Sequence, residues 1–282
     1  MTAVVRAEAL FQRVAQRLTV AGVVPAGRES AWLLETAAGR RWRDIVAEGE
    51  VAPEAERRAL SLARRRAGGE PLQYVTGIAG FRRLELRVGP GVFIPRPETE
   101  LVVAQALAHL PEKGVAVDVG AGSGAIALAV ADERADARVL ATEASAAALE
   151  WARANRDRLS LEVELYHCDL LSGLPPGLRR RIDVVVSNPP YISLPESASL
   201  PPEVRDHEPH EALFAGDDGI ELLRRIAESA RSWLRVGGWL VLEIGASQGA
   251  LALALLEEQG YDQRSVKPDY NGRPRIAVGR AG

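Results

Sequence analysis

The residues best suited to chemistry are Ser187–Tyr191, SNPPY, which follow the apolar run Ile182–Val186. A run of this kind reads as a fully buried strand, and on an open α/β sheet ligands bind beyond the carboxyl ends of strands. Pro189 and Pro190 fix φ and remove two N–H donors, which leaves backbone carbonyls free as acceptors. They also keep Asn188 and Pro189 out of the helical region. Asn188 adds a side-chain carbonyl, and Tyr191 adds a flat stacking face. Two acceptors beside an aromatic wall suit a planar group bearing NH₂, either an amide or an aromatic amine.

Three further signals lie upstream. Gly120, Ala121, Gly122, Ser123 and Gly124 form a glycine loop between a strand and a helix. Such a loop lets backbone approach a ligand and offers it free N–H groups at the helix N-terminus; alone, it is also consistent with a tight strand–helix connection. The spacing is Gly-x-Gly-x-Gly, which disfavours a nicotinamide dehydrogenase. Glu143 stands 19 residues after Gly124, at the end of the next strand. It reads either as an acceptor for ribose hydroxyls or as a solvated acid capping the following helix. Asp169 and Leu170 read either as the edge and face contacts of an adenine or as a loop acid and a buried apolar residue. His167 and Cys168 read as bystanders, because no second Cys and no suitably spaced His completes a metal site with them.

These residues need a scaffold, and the periodicity supplies one. Residues 1 to about 75 read as helices with no strand pattern. Ala7, Leu10, Phe11, Val14 and Leu18 form one stripe, a second helix spans Gly27–Ala38, and a third starts at Pro53. Residues 78–94 alternate apolar and polar and contain Gly89-Pro90-Gly91, which predicts a hairpin. Beyond residue 95 strands and helices alternate. Strands are predicted at Val115–Val119, Arg138–Thr142, Ile182–Val186 and Trp239–Ile244, with a closing edge strand at Arg275–Gly279. Helices are predicted at Gly124–Ala131, Ala146–Leu159 and Ala250–Gln259, and around the stripe Leu222, Leu223, Ile226, Ala230 and Trp233. The fold class is α/β, a doubly wound sheet with helices on both faces.

Composition narrows the function. Among 282 residues, 35 Lys and Arg face 38 Asp and Glu, so the net charge is −3, less basic than a duplex-binding protein that holds many phosphates. The charge is uneven: residues 1–92 carry 15 Arg against 10 acidic residues, leaving the remainder net negative. A lone cysteine, Cys168, rules out an internal disulfide framework and fits a reducing cytosol. The N-terminus has charges every few residues and no signal-like apolar core, and no stretch is apolar enough to span a membrane. A cytoplasmic protein is expected.

Taken together, DVGAGSG, Glu143, Asp169-Leu170 and SNPPY resemble S-adenosylmethionine-dependent methyltransferases of the Rossmann-like class. GEPLQYVTG (69–77), FIPRPETE (93–100), SNPPYI and the later EP–EALFAGDDGI resemble the release factor glutamine methyltransferase family (PrmC/HemK) over nearly the whole chain. The sequence departs mildly from that family, in its glycine loop and in having Glu rather than Asp at 143. The resemblance implies an N-terminal helical substrate-docking domain at 1–76, a β-hairpin linker at 77–94 and a methyltransferase domain at 95–282. It also implies S-adenosylmethionine as cofactor and S-adenosylhomocysteine as product. Gly120, Ala121, Gly122, Ser123 and Gly124 would line the methionine end, Glu143 would hold the ribose, Asp169 and Leu170 would flank the adenine, and Asn188 would also contact the cofactor. Asn188, Pro189, Pro190 and Tyr191 would form the substrate slot, with Asn188 and the Pro189 carbonyl orienting a glutamine amide and Tyr191 walling it. Arg96 and Glu98 would shape the cleft or form a structural ion pair. The implied substrate is the glutamine of the GGQ loop of bacterial peptide-chain release factors, with no metal, membrane or nucleic acid required. An adenine-N6 nucleic-acid methyltransferase with the same slot is the alternative.

Overall fold

The computed structural model describes residues 5–216 and 219–282. The chain forms two compact units. One comprises the residues up to Ile78 together with Pro201–His207; the other comprises Ala79–Leu200 and Glu208–Gly282. Among the described residues, no helix is long and apolar enough to cross a membrane.

The smaller unit is built from α1 (Ala7–Val20), α2 (Ala26–Ala38), α3 (Trp42–Glu48), α4 (Pro53–Ala67) and α5 (Leu72–Thr76). The stripe predicted on α1 buries Ala7, Leu10, Val14 and Leu18 against Leu33, Leu34, Ile45, Leu62 and Val75. Phe11 lies at the margin of this core, stacked on Trp42 at 4.9 Å. Contrary to the all-helical expectation, β1 (Val5–Arg6) pairs antiparallel with β2 (Glu50–Val51). Two-residue strands are too short to leave an alternating pattern. Arg66 of α4 is buried with Glu29 of α2: its Nε donates to Glu29 Oε2 at 2.6 Å and its Nη2 to Glu29 Oε1 at 3.2 Å. Arg66 Nη1 donates to Glu203 Oε2 at 2.6 Å and to the Glu70 carbonyl. Glu203 lies on α9 (Pro202–Arg205), so this guanidinium fastens a segment distant in sequence onto the helical unit.

The hairpin of β3 (Ile78–Phe81) and β4 (Leu84–Arg87), which turns at Arg82, belongs to the larger unit from Ala79 onward. The predicted hairpin is thus shorter than 78–94, and Gly89-Pro90-Gly91 lies beyond it. Phe81, Leu84 and Leu86 join the core of the larger unit. α6 (Thr99–His109) follows, a helix the sequence reading left unassigned. The alternation then runs β5 (Val115–Val119), α7 (Ala125–Glu133), β6 (Arg138–Glu143), α8 (Ala146–Leu159), β7 (Val163–His167) and β8 (Ile182–Ser187). It ends with α10 (Glu221–Arg231), β9 (Leu234–Glu243), α11 (Gly249–Glu258), β10 (Tyr261–Pro268) and β11 (Pro274–Ala281). The seven-stranded sheet has the order β10-β11-β9-β8-β5-β6-β7. The pairs from β9 through to β7 are parallel, while β11 runs antiparallel to both β9 and β10.

Alternation along the strands feeds two cores. Ala116, Val184, Val186 and Val241 face α6 and α7 through Val102, Val103, Ile126 and Leu128. Val117, Val185, Leu240 and Leu242 face α10 and α11 through Leu223, Ile226, Leu255 and Leu256. One predicted strand position is corrected: β11 is not the closing edge. Ile276, Ala277 and Val278 are consecutive and all buried, which is the pattern of an interior strand. The edge is β10, whose YDQRSVKP buries only Tyr261 and so carries no apolar alternation to predict from.

Candidate active site

From β5 the chain winds outward through β6 and β7, then returns to lay β8 on the other side of β5. That reversal opens a crevice at the carboxyl ends of β5 and β8, the place where open α/β sheets bind ligands. The four signals from the sequence lie at the carboxyl ends of β5, β6, β7 and β8 in turn, within the larger unit.

The glycine loop leaves β5 and turns back over β6. The amides of Gly120 and Ala121 donate to the Thr142 carbonyl at 2.9 and 3.0 Å. Gly122, at φ 56°, can take this left-handed turn without a Cβ penalty, and a Cβ there would meet only open space. Its N–H donates to Glu143 Oε2 at 2.8 Å, and Glu143 Oε1 accepts from Ser145 N at 2.8 Å. The acid therefore steadies the entry to α8, as the capping reading expects, and it also holds the glycine loop. A carboxylate has about four acceptor positions, so this one keeps capacity for further donors. The Ser123 carbonyl is held by Asn155 of α8, whose side chain also bonds Arg87 N and O.

Beneath the loop, Asp118 is buried. Its Oδ2 accepts from Ala127 N at 3.1 Å, while its Oδ1 has no protein partner. Burial, opposed by the Ala127 bond and reinforced by Glu143, pushes this carboxyl up to about 7. Asp169 and Leu170 follow β7. Asp169 is exposed and accepts from Arg225 Nη2 at 2.6 Å, whereas Leu170 lies against the core on the α10 side.

At the end of β8, Ser187 is structural: its buried hydroxyl donates to the Val119 carbonyl at 2.6 Å and ties the ends of β5 and β8 together. Asn188 is half-buried, and its Nδ2 donates to Thr99 Oγ1 at 3.1 Å. Thr99, in the first turn of α6, donates to Glu243 Oε2 at 2.7 Å. The other oxygen of Glu243 accepts from the Tyr191 hydroxyl at 3.2 Å, and that hydroxyl accepts from Arg275 Nη1 at 3.3 Å. Burial pushes Glu243 up to about 7 against the pull of Thr99, Arg275 and Tyr191. Burial and then Glu243 push the Tyr191 phenol far above its ordinary value, so it stays a donor. Gln248 steadies the same loop: its Nε2 donates to the carbonyls of Tyr191 and Gly219, each at 3.0 Å. Gly219 is required here, since a Cβ would come within 2.6 Å of the Tyr191 carbonyl oxygen.

The sequence reading assigned no role to Thr99, Asp118, Glu243 or Gln248. Glu243 left a signal, as the single acid within the apolar run Trp239–Ile244 at a strand end. Arg96 forms an ion pair with Glu208 and not with Glu98, which immediately precedes α6. Of the EALFAGDDGI stretch, Phe214 bridges to Ile192 and Ala215 N donates to the Ile192 carbonyl, which secures the chain just past the slot. Asp217 and Asp218 lie outside the described residues.

The fold is that of a known class. Residues 86–198 match the family described as "Methyltransferase small domain", and residues 9–77 match the "PrmC N-terminal domain". Among solved structures, a methyltransferase from Pyrococcus furiosus shares the fold at TM-score 0.51 and 21% identity, covering 71% of this chain and 89% of that one. The T. thermophilus 16S rRNA N2 G1207 methyltransferase, in complex with AdoMet and guanosine, does so at TM-score 0.53 and 20% identity, over 73% of this chain and 50% of that one. Fold and family match thus define a Rossmann-like, S-adenosylmethionine-dependent methyltransferase with an N-terminal helical region. A release factor glutamine methyltransferase from Streptomyces coelicolor is 44% identical over 274 residues, 94% of each chain. Another from Geobacter sulfurreducens is 37% identical over 263 residues, 93% of this chain and 92% of that one. The chain belongs to the release factor glutamine methyltransferase family.

Proposed function

We propose that this protein transfers a methyl group from S-adenosylmethionine to the side-chain amide nitrogen of the glutamine in the GGQ loop of bacterial peptide-chain release factors, in the cytoplasm. The observation that carries the reading is the state of Asn188. Its amide nitrogen donates to Thr99 Oγ1, which leaves its carbonyl oxygen as an acceptor at the end of β8. The names of the relatives supply the substrate.

The residues present fit the cofactor. Open space lies over Gly120 and Gly122, Asp118 Oδ1 is a buried acceptor with no protein donor, and Glu143 keeps acceptor capacity. In this reading Gly120–Gly124 line the methionine end, Glu143 holds the ribose, and Asp169 and Leu170 flank the adenine. When bound, the cofactor supplies an activated sulfonium methyl.

The chain's part is to prepare the acceptor. An amide nitrogen is a poor nucleophile because its lone pair is delocalised. Asn188 Oδ1 and the Pro189 carbonyl accept its two N–H bonds, Pro190 keeps the loop extended, and Tyr191 walls the slot. Such positioning lowers the barrier by several kcal/mol, with about 7–11 as a ceiling. Acceptors that strengthen as positive charge grows on nitrogen add electrostatic stabilisation. Transfer breaks the sulfur–methyl bond and leaves S-adenosylhomocysteine, and the surplus proton departs from the nitrogen after the methyl group has arrived.

The helical unit is read as a docking domain for the release factor, with residues 77–94 joining it to the methyltransferase domain. A second contact raises the effective concentration of the GGQ loop at the slot. Labelled-cofactor assays on release factor, DNA and RNA test the substrate class. Label confined to release factor is expected, and label on adenine would replace this reading with the nucleic-acid alternative.

A further inference from the structure

Asn188 can serve as an acceptor only if its amide is held the right way round. Rotated by half a turn, it would present NH₂ to the substrate, and two donors would face each other. Nothing in the NPPY loop itself decides between the two orientations; the decision is made by Thr99 and, through it, by Glu243.

Thr99 Oγ1 lies 3.1 Å from Asn188 Nδ2 and 2.7 Å from Glu243 Oε2. A hydroxyl has one proton to give. Glu243, when ionised, can only accept, so the Thr99 proton points at it. The Thr99 oxygen must then receive from Asn188, which turns Nδ2 inward and Oδ1 outward. The second oxygen of Glu243 takes the Tyr191 proton at 3.2 Å, and Arg275 Nη1 supplies the Tyr191 oxygen at 3.3 Å. One carboxylate, 1% exposed, thus sets hydrogen-bond polarity on both sides of the slot.

We propose that Glu243 is a positioning residue for methyl transfer: through Thr99 it fixes the amide orientation of Asn188, and through Tyr191 the ring that walls the substrate. It touches neither substrate nor cofactor. The assignment rests on the proposed reaction at Asn188. Glu243 acts at the acceptor slot, so cofactor binding at the glycine loop is left unaffected.

The test uses the full chain at pH 8 with release factor and S-adenosylmethionine. Thr99→Val keeps the shape of the side chain but breaks the relay. Glu243→Gln leaves only one acceptor oxygen for two hydroxyl donors. Each should lower kcat tenfold or more while cofactor Kd, measured by calorimetry, stays within about twofold. Thr99→Ser restores the hydroxyl and should recover most of the lost kcat, which a merely packing role for Thr99 would not produce. The assignment is overturned if Thr99→Val and Glu243→Gln, with Kd unchanged, retain wild-type kcat, or if Thr99→Ser is as impaired as Thr99→Val. Absence of transfer by the wild-type chain would overturn the proposed reaction itself, a distinguishable result.

Discussion

The backbone N–H of Gly122 donates to the carboxylate of Glu143 at 2.8 Å, joining the loop after β5 to the end of β6. Two signals separated by 21 positions thus form one surface. Glu143→Ala removes the acceptor proposed for the ribose and also releases Gly122. A hydrogen bond to a charged acceptor is worth about 1.5–3 kcal/mol, so affinity for S-adenosylmethionine should fall by at least about tenfold. Calorimetry on the folded variant measures this directly, and an unchanged Kd would place the ribose contact elsewhere.

The salt bridge inside the helical unit gives a stability prediction. Arg66→Ala leaves Glu29 buried without its bidentate partner and releases Glu203. Breaking one side of a buried pair costs roughly 3–5 kcal/mol. Urea unfolding should show a loss of that order. A change below about 1 kcal/mol would mean that water reaches Glu29 once the guanidinium has gone.

What the sequence made legible was whatever has a local cause. The strand at Ile182–Ser187 is a continuous apolar run, α8 carries its Ser145 cap, and the Gly120–Gly124 loop announces itself by composition. The edge strands β7 and β10 were not legible, because half-exposed strands lack a clean apolar pattern. The position of β11 depends on which partner it finds in space, although its buried triplet pointed inward. Pro201–His207 joins the helical unit through Arg66–Glu203, a contact 137 positions apart that no local rule contains. In the site, Asn188 and Tyr191 were named from their chemistry. Thr99 and Glu243 lie 144 positions apart, and the bond that gives each its meaning exists only after folding.

The buried acids predict a pH dependence of stability. Glu243 is raised from 4.5 to about 7, so its folded form binds a proton more tightly than its unfolded form does. This contribution is fully present below about pH 4.5 and is lost as pH rises through about 7, an amount of ~3 kcal/mol. The groups facing Glu243 are Thr99 from α6, Glu98 just before it, Tyr191 beyond β8 and Arg275 from β11. Glu243→Gln cannot titrate, so its stability relative to wild type should improve between pH 5 and pH 8. Parallel urea-unfolding curves for the two proteins across that range would contradict the buried-acid assignment.

A docking role for the helical unit predicts discrimination that the slot alone does not provide. Whole release factor should be methylated with a kcat/KM at least about a hundredfold above that of a short GGQ peptide, the lower end of what a second tethered contact provides. Equal kcat/KM values for the two substrates would leave the helical unit without a role in substrate choice.

Presentation of a glutamine amide by Asn188 can be read from the site and rate of methylation. Release factor is incubated with S-adenosylmethionine and either the wild-type chain or Asn188→Ala, at matched cofactor occupancy, and the GGQ peptide is sequenced by mass spectrometry. A single methyl group on the side-chain nitrogen of the GGQ glutamine is expected with the wild-type chain, and a rate lower by two orders of magnitude or more with the variant. A methyl group on any other residue, or wild-type transfer by Asn188→Ala, would contradict it.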